Sequence, residues 1–244
     1  MAESNMTFFD HLTDLRKRLI YVAIWFMVTL FAGLAFVSHI YGYLVLPLTR
    51  QGYRLMVISP GEVITIYLSI AGIVAVGVTL PFALHQLWKF VSPGLTQTEK
   101  RYTLRLLPVA FFMFIFGVLF AWFFLFPTIL HFLLQIASQN FSVMLRATSY
   151  FSFVTSICLP FGFIFELPIA VVFLTRIGII TPRILRKARR YAYFVIVLLG
   201  VLISPPELIS HLSVVIPMIL LYEISIFLSV IAYRRRAKAM AEYE

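Results

Sequence analysis

The acidic residues are the side chains of this sequence that are best placed for chemistry, because ten of them stand against 20 lysines and arginines. Asp14 is followed by cations three and four positions later, and Glu99 is followed directly by two more. Each of these carboxylates could therefore have a functional role. The alternatives are an intrahelical ion pair for Asp14 and a carboxylate at a helix start for Glu99.

Glu166 has the most unusual surroundings of the acidic residues. It lies in the otherwise uncharged run of residues 161–172, two positions before Pro168. A charged side chain in the middle of a membrane span costs about 2.5 to 3.5 kcal/mol on insertion scales, so such residues face a protein interior or a water-filled cavity. We therefore expect a functional role for Glu166. The alternative is that its side chain only bonds the backbone groups that the proline leaves unpaired.

Motifs of catalysis and of metal binding are missing from the sequence. It contains no H-E-x-x-H, no G-x-S-x-G and no glycine loop that could hold a phosphate. The five histidines are scattered, and the single cysteine, Cys158, offers neither a disulfide nor a C-x-x-C pair. The sequence therefore predicts no enzyme activity, no catalytic residue, no metal and no cofactor.

The composition indicates that these residues belong to a membrane protein. The chain is 61% hydrophobic and 12% charged, with a mean hydropathy of +0.97, whereas about a quarter of the residues of a soluble domain are charged. A bilayer core requires about 20 apolar residues per helix, and the apolar runs approach or exceed that length. We predict one all-α polytopic domain over residues 1–244 with six transmembrane helices. These are expected at residues 19–38, 65–90, 104–133, 150–175, 191–204 and 208–233, after a cytoplasmic amphipathic helix at 1–18 and before a cytoplasmic tail at 234–244.

The distribution of lysine and arginine predicts the orientation of the spans. With alternating spans, 17 of the 20 basic residues fall on one side of the membrane, and only Arg50, Arg54 and Arg146 fall on the other. Positive loops stay in the cytoplasm, so both termini are expected there, in a plasma (inner) membrane. The net charge of +10 thus indicates orientation, and no nucleic-acid partner is predicted.

Two features of the predicted spans are irregular. The fifth has about 12 to 14 apolar residues, or roughly 20 Å of helix, which is short for a bilayer. Pro81, Pro168 and Pro217 each follow an aliphatic residue inside a span, and proline kinks a helix where neighbours can satisfy the freed carbonyl.

A series of short motifs occurs in order along nearly the whole chain. They are H-L-T-D-L-R-K-R at residues 11–18, L-P-x-x-L-x-Q-x-W-x-F at 80–90, E-K-R at 99–101, F-x-x-F-P at 123–127, F-G-x-x-F-E-x-P at 161–168, S-P-P-E at 204–207 and I-P-x-x-L-x-Y-E-I at 216–224. Together they resemble the TatC family, the signal-peptide receptor of the twin-arginine protein translocase. The chain departs from the usual pattern in having Asp14 in place of glutamate and Glu207 in place of aspartate.

The resemblance implies a concave, glove-like bundle that acts as the core receptor subunit of that translocase. It implies binding of twin-arginine signal peptides of folded cargo, recruitment of TatA/TatB-type single-span subunits, self-association in the receptor complex, and export driven by the proton motive force. Signal-peptide binding is implied for Asp14, Glu99, Arg16 and Phe90, an intramembrane partner contact for Glu166, and structural or partner-related roles for Pro47, Pro81, Gln86 and Glu207.

A second function remains open from the residues alone. A proton-coupled secondary transporter of a small solute could use Glu166 as its proton site, with the proline-broken helices around it. The two hypotheses differ in what they require. The transporter needs Glu166 to titrate, and the receptor needs Asp14 and Glu99 to bind arginine.

Overall fold

Helices form almost all of the structure, a computed structural model that describes residues 8–50, 52–94, 97–141, 143–204 and 207–241. A 3₁₀ turn at Ser92–Gly94 follows α2, and a π-helical turn at Ala121–Leu125 joins α3 to α4. The elements in chain order are α1 (Phe8–Thr49), β1 (Leu55–Met56), α2 (Pro60–Val91), α3 (Gln97–Phe120), α4 (Phe126–Asn140), β2 (Leu145–Arg146), α5 (Ala147–Ile164), α6 (Leu167–Arg176), α7 (Pro182–Ile203) and α8 (Leu208–Ala241).

Five helical stretches of the described chain are long and apolar enough to cross a membrane. They are Leu12–Thr49, Pro60–Gly94, Leu104–Gln139, Ala147–Arg176 and Leu208–Arg236. The remaining predicted span corresponds to the second half of α7. This helix begins with a strongly basic segment, and its apolar part starts only at Tyr191. The presence of six transmembrane helices and the cytoplasmic position of both termini therefore stay predictions.

The first helix is longer than the sequence predicts. A separate amphipathic helix at residues 1–18 and a span at 19–38 were expected, whereas α1 runs without interruption from Phe8 to Thr49, and residues 1–7 lie outside the described part. No proline occurs before Pro47, so nothing stops the hydrogen-bond ladder between the two predicted segments. At 42 residues, α1 is about 63 Å long. It therefore joins Asp14 rigidly to the opposite end of the bundle.

The three prolines that are expected to kink spans do not all have the same effect on the helices. Pro81 and Pro217 lie inside the continuous helices α2 and α8. Pro168 lies at a real break, because α5 ends at Ile164 and α6 begins at Leu167. A proline in the first turn of a helix lacks only an N–H that would have no intrahelical partner. The break places Glu166 at the junction of two helices, where it is the N-cap residue of α6.

The helices pack as neighbouring pairs around an aromatic core. Helix α1 packs along α2, α3 against α5, and both α6 and α7 against α8. Fully buried side chains such as Phe126, Phe151, Phe161 and Met218 form the centre. Large apolar side chains on the outside stay exposed, for example Phe31 and Phe194. An apolar outer surface of this extent fits a protein that has lipid as its solvent.

Two glycines allow α3 and α5 to approach closely. A Cβ atom on Gly117 would lie 2.6 Å from the carbonyl oxygen of Phe161, and one on Gly162 would lie 2.6 Å from the ring of the buried Phe114. Small residues at helix crossings are typical of membrane proteins, where close packing replaces the hydrophobic effect between helices. The crossing fixes α5, and therefore Glu166, against α3.

Gly117→Ala is expected to destabilise the protein by about 1 to 3 kcal/mol, because the new methyl group meets a backbone oxygen that cannot rotate away. Gly72→Ala is the matched control. It makes the same change inside helix α2, where a Cβ would meet nothing within 4 Å, and alanine is favoured over glycine in a helix. Thermal unfolding in detergent should show a lower Tm for Gly117→Ala and an equal or higher Tm for Gly72→Ala. Equal Tm values for both variants would contradict the tight crossing.

Candidate functional site

The carboxylate of Asp14 is held by an arginine of the same helix. Arg18 Nε donates a hydrogen bond of 2.7 Å to Asp14 Oδ2, and Arg18 Nη1 makes a longer one of 3.5 Å to Oε1 of the buried Gln86 on α2. The ion pair that the sequence offered as one alternative for Asp14 is therefore present. It leaves the Asp14 side chain 26% exposed, so a second guanidinium group can still reach the carboxylate.

An apolar groove between α1 and α2 begins beside this ion pair. Its first part, of about 190 Å³, is lined by Leu15, Arg18, Leu19, Gln86, Phe90 and their neighbours. A second part, of about 320 Å³, shares Leu19, Val22 and Ala83 with the first and extends to Phe163. The two parts form one apolar path, which leads from the polar end of the helices towards their middle.

The other residues of the predicted signal-peptide site lie at the same end of the bundle. Arg16 is exposed on α1, and Phe90 is half-buried in the last turn of α2. Glu99 belongs to the first turn of α3, shortly after the chain leaves α2, but its side chain lies outside the described part of the structure. The fold thus brings Phe90 and Arg18, the ion-pair partner of Asp14, to one groove, whereas a contact of Glu99 with this site stays a prediction.

Glu166 faces a cavity of about 310 Å³ between α2, α3 and α6. All the other lining residues are apolar or aromatic. Glu166 and Trp88 both line this cavity, and Glu166 Oε1 and Trp88 Nε1 are buried without a hydrogen-bond partner among the described residues. A buried polar group without a partner is costly, so the cavity is suited to a ligand or helix that brings a polar group with it.

The alternative role for Glu166, bonding the backbone next to Pro168, is not what the described contacts show. Its main-chain carbonyl accepts hydrogen bonds from the N–H groups of Ile169 and Ala170, at 3.1 and 2.9 Å. The side-chain oxygen Oε1, in contrast, has no partner in the described part of the chain. Glu166 thus lines the cavity, and one of its carboxylate oxygens lacks a partner among the described residues.

The residues that were expected to have structural or partner-related roles are spread over the bundle. Pro47 lies in the last turns of α1, where the Tyr150 hydroxyl donates to the Leu44 carbonyl at 2.6 Å and ties α1 to α5. Pro81 lies within α2, and Gln86 contacts Arg18 as described above. Glu207 Oε2 is buried and has no hydrogen-bond partner among the described residues. Only Gln86 of this group touches the Asp14 site.

An ionic cluster that the sequence does not predict lies at the opposite end of the bundle. The strands β1 and β2 pair in parallel, and Arg146 of β2 donates from Nε to Glu62 Oε1 at 3.0 Å. Thr148 and the backbone N–H of Ile58 donate to the other carboxylate oxygen. Glu62 lies in the first turn of α2, but no sequence pattern links it to Arg146, which lies 84 positions away. The cluster joins the connection before α2 to the start of α5.

Arg146→Gln is expected to lower the Tm, because it leaves the Glu62 carboxylate, 8% exposed, without its cation. Arg54→Gln is the matched control, since Arg54 is exposed on the same predicted face and has no ion-pair partner among the described residues. Thermal unfolding in detergent should separate the two variants. A Tm that falls equally in both would show that general surface charge, and not this cluster, stabilises the end of the bundle.

Comparison with known proteins gives consistent results. A family model described as Sec-independent protein translocase protein (TatC) matches residues 10–217. The chain is 41% identical over 228 residues to the Sec-independent protein translocase protein TatCd of Bacillus subtilis (strain 168), covering 93% of each. It is 38% identical over 242 residues to TatCy of the same organism, covering 99% of this chain and 95% of the relative. The crystal structure of a twin-arginine translocase receptor, TatC, superposes with a TM-score of 0.82 at 34% identity, covering 91% of this chain and 99% of that one.

Proposed function

This chain belongs to the TatC family of Sec-independent protein translocase proteins, and from that premise we propose that it is the core receptor subunit of a twin-arginine translocase. In this role it binds twin-arginine signal peptides and holds TatA/TatB-type subunits for export of folded proteins. The observation that carries the proposal is a partly exposed carboxylate, Asp14, at the head of the apolar groove between α1 and α2. A signal peptide has the matching order of a basic end followed by an apolar segment.

Recognition of arginine rests on the geometry of the carboxylate. Arg18 already occupies Oδ2 of Asp14 and is itself oriented by Gln86, so the carboxylate is held in a fixed position before any peptide arrives. An incoming guanidinium group can form two parallel hydrogen bonds to a carboxylate, whereas a lysine ammonium presents a single point charge. Glu99, by the family resemblance, supplies a second carboxylate for the second arginine.

The apolar segment of the signal peptide follows the groove towards the middle of the bundle. The groove is lined almost entirely by aliphatic and aromatic side chains, with Phe90 in its first part and Phe163 in its second. A helical apolar segment that lies in such a groove buries its surface against protein, while the arginines stay at the polar end. Binding therefore aligns the peptide along α1 and α2.

The Glu166 cavity is the proposed contact for a membrane-spanning partner. A polar side chain on an otherwise apolar helix gains a hydrogen bond from Glu166 or Trp88 that lipid cannot offer. TatA/TatB-type single-span subunits are helices of that general kind by the family resemblance. The same resemblance implies self-association in the receptor complex, a plasma-membrane location with both termini in the cytoplasm, and export driven by the proton motive force.

The solute-transporter hypothesis receives no support from the comparisons, whose matches are protein translocase proteins.

Export of a folded reporter tests the proposed function. A bacterial strain that lacks its own TatC but supplies TatA/TatB-type subunits is given this protein, together with a reporter that carries a twin-arginine signal. We expect export of the folded reporter, loss of export when the two arginines are changed to lysines, and loss when the proton gradient is collapsed. Export that is equal for both signals would contradict the proposal.

A further inference from the structure

A basic cavity lies where α7 begins and α8 ends, and it shares no lining residue with the groove or with the Glu166 cavity. It has a volume of about 570 Å³. Its lining consists of Thr181, Pro182, Arg183, Arg186, Val230, Tyr233 and Arg234. Three guanidinium groups thus surround one space, together with an aromatic ring and an aliphatic side chain.

The charges of these arginines are not balanced by the described protein. Arg183 and Arg186 lie one turn apart on α7, and Arg234 approaches from α8. The nearest acidic residue along these helices, Glu223, is already bound by Arg189 and by the Tyr193 hydroxyl. No described carboxylate forms an ion pair with the three arginines of the cavity. Three like charges at one cavity favour an anion between them.

The start of α7 adds to this preference for an anion. The Thr181 side chain caps the helix by accepting from the Ile184 N–H at 3.4 Å, and Pro182 follows as the first helical residue. The N-terminus of a helix carries a partial positive charge and unpaired N–H groups. The helix end and the arginines therefore act on the same space.

An apolar surface continues from the cavity along the outside of α8. Ile231 and Phe227 lie about one and two turns before Arg234, and they are 36% and 66% exposed. Ile184 of α7 is 55% exposed beside the arginines. A free inorganic anion gains nothing from contact with this apolar surface, whereas the acyl chains of a lipid can pack against it. Basic pockets between helices at the positively charged face of a membrane protein are suited to anionic lipid headgroups.

We propose that this cavity binds the phosphodiester headgroup of an anionic phospholipid, with the acyl chains lying along Phe227 and Ile231. Bound there, the headgroup holds the basic first turns of α7 at the membrane surface. That position explains how α7, with its short apolar part from Tyr191 to Ile203, is kept at a defined depth in the bilayer. The proposal is independent of the receptor function.

Two double variants on the same two helices test the proposal. Arg186→Gln/Arg234→Gln removes two charges from the cavity, and Lys187→Gln/Arg235→Gln removes two charges from neighbouring exposed positions that do not line it. The full-length protein in uncharged detergent is titrated with phosphatidylglycerol, with phosphatidylcholine and with inorganic phosphate. Native mass spectrometry counts the bound lipid, and the Tm is measured in parallel.

We expect wild type and the Lys187/Arg235 variant to retain phosphatidylglycerol over phosphatidylcholine, and the Arg186/Arg234 variant to bind it about 10- to 30-fold more weakly. Equal loss in both variants would overturn the proposal, because diffuse surface charge would then suffice. Displacement of the lipid by millimolar inorganic phosphate would also overturn it, since the cavity would then be a site for a free anion. If the Arg186→Gln/Arg234→Gln variant fails to fold, the single variants Arg234→Gln and Arg235→Gln are compared in the same lipid titration. The proposal then requires weaker phosphatidylglycerol binding in Arg234→Gln alone.

Discussion

Asp14→Ala is expected to lower the affinity for a twin-arginine signal peptide by about 10- to 100-fold, and to leave the affinity for the twin-lysine counterpart almost unchanged. A charge-assisted hydrogen bond contributes about 1.5 to 3 kcal/mol, and each 1.4 kcal/mol corresponds to about a tenfold change in affinity. Fluorescence anisotropy with labelled peptides and the protein in nanodiscs measures both affinities.

The controls for this prediction separate recognition from helix stability. Asp14→Glu keeps a carboxylate and should retain most of the preference for arginine. Glu99→Ala should reduce that preference as Asp14→Ala does. Glu207→Ala removes a carboxylate at the other end of the bundle and should leave peptide binding intact. If Asp14→Ala weakened both peptides equally, Asp14 would serve only to pair with Arg18 and stabilise α1.

Glu166→Leu is expected to weaken the association with a TatA/TatB-type subunit by about 3- to 30-fold, because interhelical hydrogen bonds in membranes contribute roughly 0.6 to 2 kcal/mol. Export of a folded reporter should fall with it, while signal-peptide affinity stays unchanged, since Glu166 does not line the groove between α1 and α2. Co-purification of the partner and the export assay measure the two effects.

Two further variants at the cavity sharpen this prediction. Glu166→Gln keeps a side chain that can form hydrogen bonds, so it should retain much of the association. Ala170→Leu leaves Glu166 in place but fills part of the cavity, and it should weaken the partner. The opposite pattern, with Glu166→Gln inactive and the Asp14 and Glu99 variants fully active, would favour a proton-coupled solute transporter.

The membrane class and the position of Glu166 could be predicted from the sequence, because both depend on local composition. An apolar chain with few charges has to be solvated by lipid. A carboxylate two residues before a proline in an uncharged run predicts an interior position beside a kinked helix. In the structure Glu166 lines a cavity, and a break between α5 and α6 takes the place of the kink.

Other features could not be predicted, because they depend on residues far apart in the sequence. Glu62 and Arg146 are 84 positions apart, and neither has a local pattern that indicates its partner. No sequence neighbour of Trp88 indicates that its Nε1 is buried without a partner among the described residues. The length of α1 was also missed. Its charged first turns were interpreted as a separate surface helix, although no residue between the two segments ends a helix.

The receptor function is decided by comparing how the wild-type protein in nanodiscs binds a twin-arginine signal peptide and its twin-lysine counterpart. The two peptides have the same net charge and the same apolar segment, so only the geometry of the cation differs. The receptor account predicts at least about tenfold tighter binding of the twin-arginine peptide. Equal affinities would contradict the account, because recognition would then rest on charge and hydrophobicity alone.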